Sequence, residues 1–331
     1  MLFPHLGGYK PGDIEIVMAV DIDRRKVGQP LSRAVFAAPN NTMVFHPEPL
    51  FDNVIVATGA VLDGVSLSMR ESDPEFSFDP VDSGEATREE LIAMLRESGA
   101  EVAINFLPVG SQAATEFYAE CALEAGVALV NAIPILVASN PVWSQRFADA
   151  GLPVLGDDIK AQVGATIVHR ALVNLFKNRG AELDRSYQLN TGGNTDFLNM
   201  MDMDRLAMKR ESKTEAVQTA MNARLSDSEI RIGPSDYVPW LNDRKVAYVR
   251  LEGRLFGGVR THVEMRLEVE DSPNAAAMAL IAIRCAKIAA DRGLAGPVED
   301  ASAFLFKHPP LQIEDAEGYD RLLAFANGEA A

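Results

Sequence analysis

Four lysines and their acidic neighbours are the residues through which this sequence could do chemistry. Lys209 and Lys213 stand four residues apart in LAMKRESKTEAVQ, where Ser212 and Glu215 have capping-box spacing and put Lys213 at the first helical position. A helix start favours acids, so two lysines there point to an anionic partner; solvated surface lysines are the plainer reading. Asp243 and Lys245 in LNDRKVAY, Asp271 in VEDSPN and Lys307 in FLFKHPP each fall where a strand or helix meets a turn, and singly none is remarkable. GDDIKAQVGAT, from Gly156 to Thr166, follows a strand-like run and enters the helical pattern ATIVHRALVNLF. Backbone amides at such a start can cradle a phosphate, although Asp157 and Asp158 read equally well as a dipole-favourable cap. Asn194, Asp196 and Asn199 crowd the Gly-rich segment GGNTDFLNM, where turn formation alone would explain them.

Other chemistries lack their residues. The five histidines, His5, His46, His169, His262 and His308, show no metal-ligand spacing, no Cys/His set resembles a zinc site, and there is no G-x-S-x-G. Cys121 and Cys285 are too few for a disulfide framework and lie in apolar helical patterns. A net charge of -16 repels nucleic acid and acidic membrane surfaces, so any anion site must be a local basic cluster. The opening MLFPHLGGYKPGD has no signal-peptide pattern, and a cytoplasmic protein is expected.

The elements that must hold these residues are of two kinds. In the first half, EIVMAVDID, NVIVATGAV, VAINFLPVG, ALVNAIP and LPVLGDD alternate with helical stretches, which predicts parallel strands joined by crossovers in a doubly wound α/β unit. From about Leu183 the texture changes: KVAYVRLEGRLF and VRTHVEMRLEVED alternate as antiparallel strands with one buried face do. NAAAMALIAIRCAKIAADRG is a periodic helix that should return to the first unit. The expected division is a discontinuous Rossmann-like domain, 1-185 and 272-331, with an inserted α+β catalytic and oligomerisation domain at 186-271. Asp21 ends the run IVMAV, where a Rossmann domain places the acid that holds the ribose of NAD; a solvated Asp is the plainer reading. The strand and G-x-G-x-x-G turn expected some 20 residues earlier are not found, and HLGGYKPG is no substitute. Without that central strand its neighbours should be left with unpaired backbone groups. Either the start methionine is placed internally, or this is a relative that holds cofactor weakly.

Taken together, these segments resemble the inositol-3-phosphate synthase family in its bacterial form, from about residue 9 to residue 312. The resemblance rests on AVDIDRRKVG, the NNT of Asn40 to Thr42, FLPVGS, VNAIP, GDDIKAQVGAT, GGNTDFLNM, the K-x-x-x-K of Lys209 and Lys213, IGPSD, NDRKVAYVRLEGR, EDSPN and SAFLFKHPP. It implies that NAD takes hydride from C5 of glucose 6-phosphate, that an enolate closes on the C1 aldehyde, and that the hydride returns, so the net reaction is isomerisation. It implies that Lys209, Lys213 and Lys307 surround the reacting oxygens, with Lys213 a hypothetical base, and that Lys245 lies near the substrate phosphate. Asp158, Asp196, Asp243 and Asp271 then orient the lysines and the carboxamide of NAD. Cofactor contacts are implied for Asp21, Leu107, Pro108, Val109, Gly110, Ser111, Asn131, Pro134, Asp158, Asn194 and Asp196. Substrate contacts are implied for Ala161, Gln162, Val163, Gly164, Asn199 and Lys245. Ala161 departs from a serine common in the family, which predicts weaker substrate binding. A homotetramer is implied; a monovalent or divalent cation is left open. Two rivals stand beside this reading, a conventional NAD-dependent dehydrogenase and a non-catalytic regulatory relative.

Overall fold

The helix Arg88–Ser98 opens on a reciprocal capping box, with Thr87 N donating to Glu90 Oε2 at 2.8 Å, and closes on Gly99 in the left-handed conformation (φ 69°). Gln112–Ala125 closes the same way on Gly126. Each stop returns the chain to a strand, and the result is the parallel α/β unit expected from the pattern. The computed structural model describes residues 2–48, 53–82, 84–202, 205, 214–221 and 223–329.

Strands β1 (Ala19–Asp21), β2 (Val56–Thr58), β3 (Val102–Asn105), β4 (Ala128–Asn131), β5 (Pro153–Leu155) and β10 (Gly296–Pro297) all pair in parallel. β4 and β5 are wholly buried, as strands covered on both faces must be. The sheet is divided. β1 pairs only with β2, whereas β10, β5, β4 and β3 form a second sheet in that order. Among the described residues the outer edges of β1 and β3 have no strand partner, and Val20 is 37% exposed. The run EIVMAVDID is accordingly strand over only three residues.

The second half builds another sheet, β7-β6-β8-β9, from β6 (Glu182–Gly192), β7 (Ile230–Tyr237), β8 (Arg244–Arg254) and β9 (Arg260–Glu270). β8 is antiparallel to both β6 and β9, in keeping with their alternation, while β6 and β7 run parallel, a pairing the sequence did not announce. One face packs Ile230, Ile232, Val249 and Leu251 against Val173 and Phe176 of the helix Ala165–Asn178. The other face leaves Tyr187, Leu189 and Tyr248 exposed. From β9 the chain enters the helix Asp271–Asp291, whose Met278, Ile281, Cys285 and Ile288 meet Val130 and Leu155 in the main core. It is the one described helix long and apolar enough to cross a membrane, and this packing makes it a core helix.

Candidate active site

Parallel strands place their following loops on one side, and here those loops meet the ends of the second sheet. A cavity of about 470 Å³ lies between them, lined by Phe106–Val109 after β3, Ala132 and Ile133 after β4, Asp158–Ala161 after β5, and Asn194, Lys245 and Asp271. The segment after β5 is stitched to the stretch before Pro309. Asp157 N donates to His308 O and His308 N to Asp157 O, both at 2.9 Å, Lys307 N donates to Asp158 O at 2.7 Å, and Lys160 N to Leu305 O at 2.8 Å. This pairing sets Lys307 Nζ 2.7 Å from Asp158 Oδ1, with the two side chains 13% and 2% exposed.

The acidic pair is split between two tasks. Asp158 takes the left-handed conformation (φ 60°), costly for most residues but tolerated by Asp. Asp157 is fully buried and accepts from Asn131 Nδ2 (2.7 Å), Val137 N (3.1 Å), Ala138 N (3.1 Å), Ser139 N (3.0 Å) and Ser139 Oγ (2.6 Å). Burial pushes its carboxyl pKa up, and the hydrogen bonds from Ser139 and Asn131 oppose that push. It therefore ties down the loop after β4 and is not the helix cap its position suggested. Asp157→Ala leaves these donors buried without their acceptor, and chemical unfolding should show a loss of about 3 kcal/mol. A loss under about 1 kcal/mol would show that water replaces the carboxylate.

At the other wall Lys245 pairs with Asp271, and Asn194 Nδ2 donates to Asp243 Oδ1 at 3.1 Å. Asp243 is 1% exposed and accepts from Ser272 N (3.0 Å) and Ser272 Oγ (2.7 Å), so it braces the turn that carries Asp271. Gly193 is required here: a Cβ would come within 2.6 Å of both Asn242 N and Val238 O. Asp196 also lines the cavity. The helix Ala165–Asn178 begins at Gly164 with no side-chain cap, and residues 164–167 line the same cavity as Lys245. Unclaimed amides at a helix start attract an anion.

Not every expected residue reaches this space. The amides of Gln162 and Val163 donate to Asn274, to its main-chain O (3.0 Å) and its Oδ1 (2.8 Å), and neither residue lines the cavity, whereas Ala161 and Gly164 do. Asn199 is fully buried and donates to Val109 O at 2.8 Å, with Arg205 donating to the same oxygen at 2.9 Å. It shapes the Leu107–Ser111 loop from behind. Leu107, Pro108 and Val109 face the cavity; Gly110 (φ 87°) and Ser111, whose Oγ donates to Pro108 O at 2.6 Å, form the turn beyond them. Asn131 and Pro134 are buried beneath the wall. Asp21 lies outside the cavity. Its Oδ1 accepts from Ile22 N (2.7 Å) and Asp23 N (2.9 Å), and Lys26 Nζ links its Oδ2 (3.4 Å) to Asn40 Oδ1 (3.0 Å) at the rim. Lys209 and Lys213 lie outside the described residues. Among those described, no group of three or more His, Cys, Asp or Glu could hold a metal ion.

Sequence reasoning passed over Lys160, which lines the cavity with its ammonium 2.9 Å from Asp315 Oδ1, and Asn274. Both stand inside segments already singled out, GDDIK and EDSPN, but the partners that give them meaning are remote in sequence.

Parallel strands with a cavity at their ends, closed by a second sheet, with one lysine–carboxylate pair from each half of the fold, define a Rossmann-like α/β protein. The family described as myo-inositol-1-phosphate synthase matches residues 164–272. The inositol-3-phosphate synthase of Mycolicibacterium smegmatis is 48% identical over 326 residues, covering 97% of this chain and 87% of that protein. That of Corynebacterium glutamicum is 47% identical over 324 residues, 96% of this chain and 87% of its own. Among solved structures, that of Ari2 is 34% identical with a TM-score of 0.76, covering 98% of this chain and 87% of the other. A myo-inositol-1-phosphate synthase-related protein from Thermotoga maritima shares the fold at 23% identity, with a TM-score of 0.76 over 96% of this chain and 87% of its own. The chain belongs to the inositol-3-phosphate synthase family of enzymes.

Proposed function

We propose that the chain is an isomerase that converts D-glucose 6-phosphate to 1D-myo-inositol 3-phosphate with NAD as a recycled cofactor. The supporting observation is convergence: the Lys307–Asp158 and Lys245–Asp271 pairs, carried by different halves of the fold, border one cavity beside an uncapped helix start. A phosphorylated polyol needs a cradle for its phosphate and fixed cations for oxygens that gain charge, roles that the uncapped helix start and the two paired lysines suit.

The residues present fit the nicotinamide end of NAD. Asn40–Thr42, Phe106–Val109, Asp158, Asn194 and Asp196 line the same cavity, and Asn105 Oδ1 accepts from Leu107 N at 2.9 Å. Farther out, Asp21 is assigned to the ribose hydroxyls through Oδ2, which Lys26 Nζ approaches at 3.4 Å, since Oδ1 accepts from two amides. When bound, NAD supplies a reversible hydride acceptor for C5 of the sugar, which makes the C6 protons acidic. The amides at Gly164–Ile167 and the Lys245 ammonium hold the phosphate. Lys307, fixed by Asp158, steadies an oxygen that gains charge and holds a proton at its Nζ, and the same role is assigned to Lys209 and Lys213 from the family resemblance. Asp271 orients Lys245, and Asp243 acts through Ser272 and Asn194. The exposed face bearing Tyr187, Leu189 and Tyr248 is assigned to contact between copies in a homotetramer, and the compartment is the cytoplasm.

Phosphorus NMR of the full chain with glucose 6-phosphate, with and without NAD, tests the reading. Inositol phosphate formed without net NADH is expected; accumulating NADH would identify a dehydrogenase instead.

A further inference from the structure

The turn Asp271-Ser272-Pro273-Asn274 opens the long helix and reaches three parts of the site. Asp271 pairs with Lys245, Ser272 donates to Asp243, and Asn274 clasps the loop before the uncapped helix. The last contact is reciprocal: Asn274 Nδ2 donates to Val163 O at 2.7 Å, Val163 N donates to Asn274 Oδ1 at 2.8 Å, and Gln162 N donates to Asn274 O at 3.0 Å. Pro273 stiffens the turn with its fixed φ in the first helical turn, where the missing N–H breaks no helical bond. Asn274 does not itself line the cavity.

We propose that Asn274 is a positioning residue for the substrate phosphate, one that sets the amide cradle of Gly164–Ile167 at its working distance from Lys245. The inference rests on the reading of that cradle as the phosphate site. The helix that begins at Gly164 and the helix that begins at Asp271 belong to separate stretches of chain, and the Asn274 amide fastens the loop of one to the first turn of the other. With Asp271 on the same turn holding Lys245, cradle and cation are referred to one short rigid piece. The contact demands a donor and an acceptor on one short planar group, which is asparagine. Aspartate at 274 loses the donor and sets a carboxylate against the Val163 carbonyl; alanine loses both bonds. The bonds are solvent-accessible, so neither change leaves a buried charge.

Calorimetric titration of the full chain, Asn274→Ala and Asn274→Asp with glucose 6-phosphate, inorganic phosphate and glucose tests this, with Tm recorded in parallel. Kd for both phosphorylated probes should rise about tenfold in Asn274→Ala, the effect of a lost hydrogen bond or two, and further in Asn274→Asp. Glucose binding should not change. Where turnover is measurable, KM should rise in step while kcat stays within about twofold. An unchanged Kd in both variants, with only Tm lowered, assigns Asn274 a purely structural role and overturns the proposal. Should the unaltered chain bind glucose 6-phosphate without turning it over, the proposed activity fails while the Kd comparison still decides the role of Asn274. If it binds neither phosphorylated probe, the cradle reading and the inference fall together.

Discussion

Lys307→Ala should lower kcat about 1000-fold, the upper range for removing one preorganised donor from a developing oxyanion, and should leave KM for glucose 6-phosphate within a few-fold. The reason is position. Lys307 Nζ stands 2.7 Å from Asp158 Oδ1 at 13% exposure, on a segment fixed by main-chain hydrogen bonds to residues 157, 158 and 160, so its ammonium cannot wander. A cation held in place before the reaction needs no reorganisation when an oxygen gains charge. On the proposed reading the phosphate contacts lie on other residues, Gly164–Ile167 and Lys245, so ground-state binding should survive. Lys307→Arg keeps the charge but replaces a compact ammonium with a broad fork, and an intermediate loss is expected. Asp158→Asn should cost nearly as much as Lys307→Ala. The double variant should be little worse than either, because the two side chains act as a unit. Initial rates of inositol phosphate formation decide the matter: a Lys307→Ala enzyme retaining more than about a tenth of kcat would remove Lys307 from the chemistry.

That pair shows where the sequence stopped being readable. The strands ALVN and PVL and the helix stops at Gly99 and Gly126 are local effects of apolar runs and left-handed glycines, and all could be read along the chain. The Lys307–Asp158 contact joins residues 149 apart, and no spacing rule announces it; only family resemblance placed both in one site. Asp157 and Asp158 look alike in sequence. The positive φ of Asp158 and five donors waiting at Asp157 separate them, and both are tertiary facts. Gln162 and Val163 were expected to offer amides to substrate; Asn274, 111 residues from Val163, takes them. The β6–β7 pair stayed hidden because IRIGPSDY breaks its alternation with Gly and Pro, and the register shifts between Asn190 and Thr191. EIVMAVDID was legible as a strand in character but not in length, because extent depends on neighbours.

The second large effect is expected at Asp315, a residue no motif marks. Its carboxylate holds two buried cations, Lys160 Nζ at 2.9 Å and Arg170 Nε at 2.7 Å, whose side chains are 2% and 1% exposed. Arg170 reaches on to Ala216 O (2.5 Å) and Thr219 Oγ1 (3.0 Å), so Asp315 braces residues 216–219 as well as the Lys160 wall. Burial alone would push the Asp315 carboxyl pKa up, but Lys160 and Arg170 hold it below the usual 3.8. Burial pushes Lys160 down to about 8, with Arg170 and Lys307 adding repulsion and Asp315 opposing them. Asp315→Asn strands two like charges in the interior and should lower the unfolding free energy by about 3 to 5 kcal/mol at pH 7. The pH dependence follows in sign. Asp315 has a depressed pKa in the fold, so its contribution is complete above 3.8 and drains away as pH falls through the lower folded value. Lys160 is also depressed, so the unfolded chain binds the extra proton, and stability rises with pH from about 8 toward the ordinary 10.5. In the variant Lys160 loses its carboxylate and sheds its proton at still lower pH, which relieves part of the strain. The difference between the two proteins should therefore be largest from about pH 4 up to the pH at which the variant's Lys160 deprotonates, shrink as pH rises from there to about 8, and stay smaller at pH 9.5. Urea unfolding of both proteins at pH 5, pH 7 and pH 9.5 measures it. A difference that is below about 1 kcal/mol at pH 7, or that grows at pH 9.5, would mean that solvent screens the triad and that Asp315 is an ordinary surface acid.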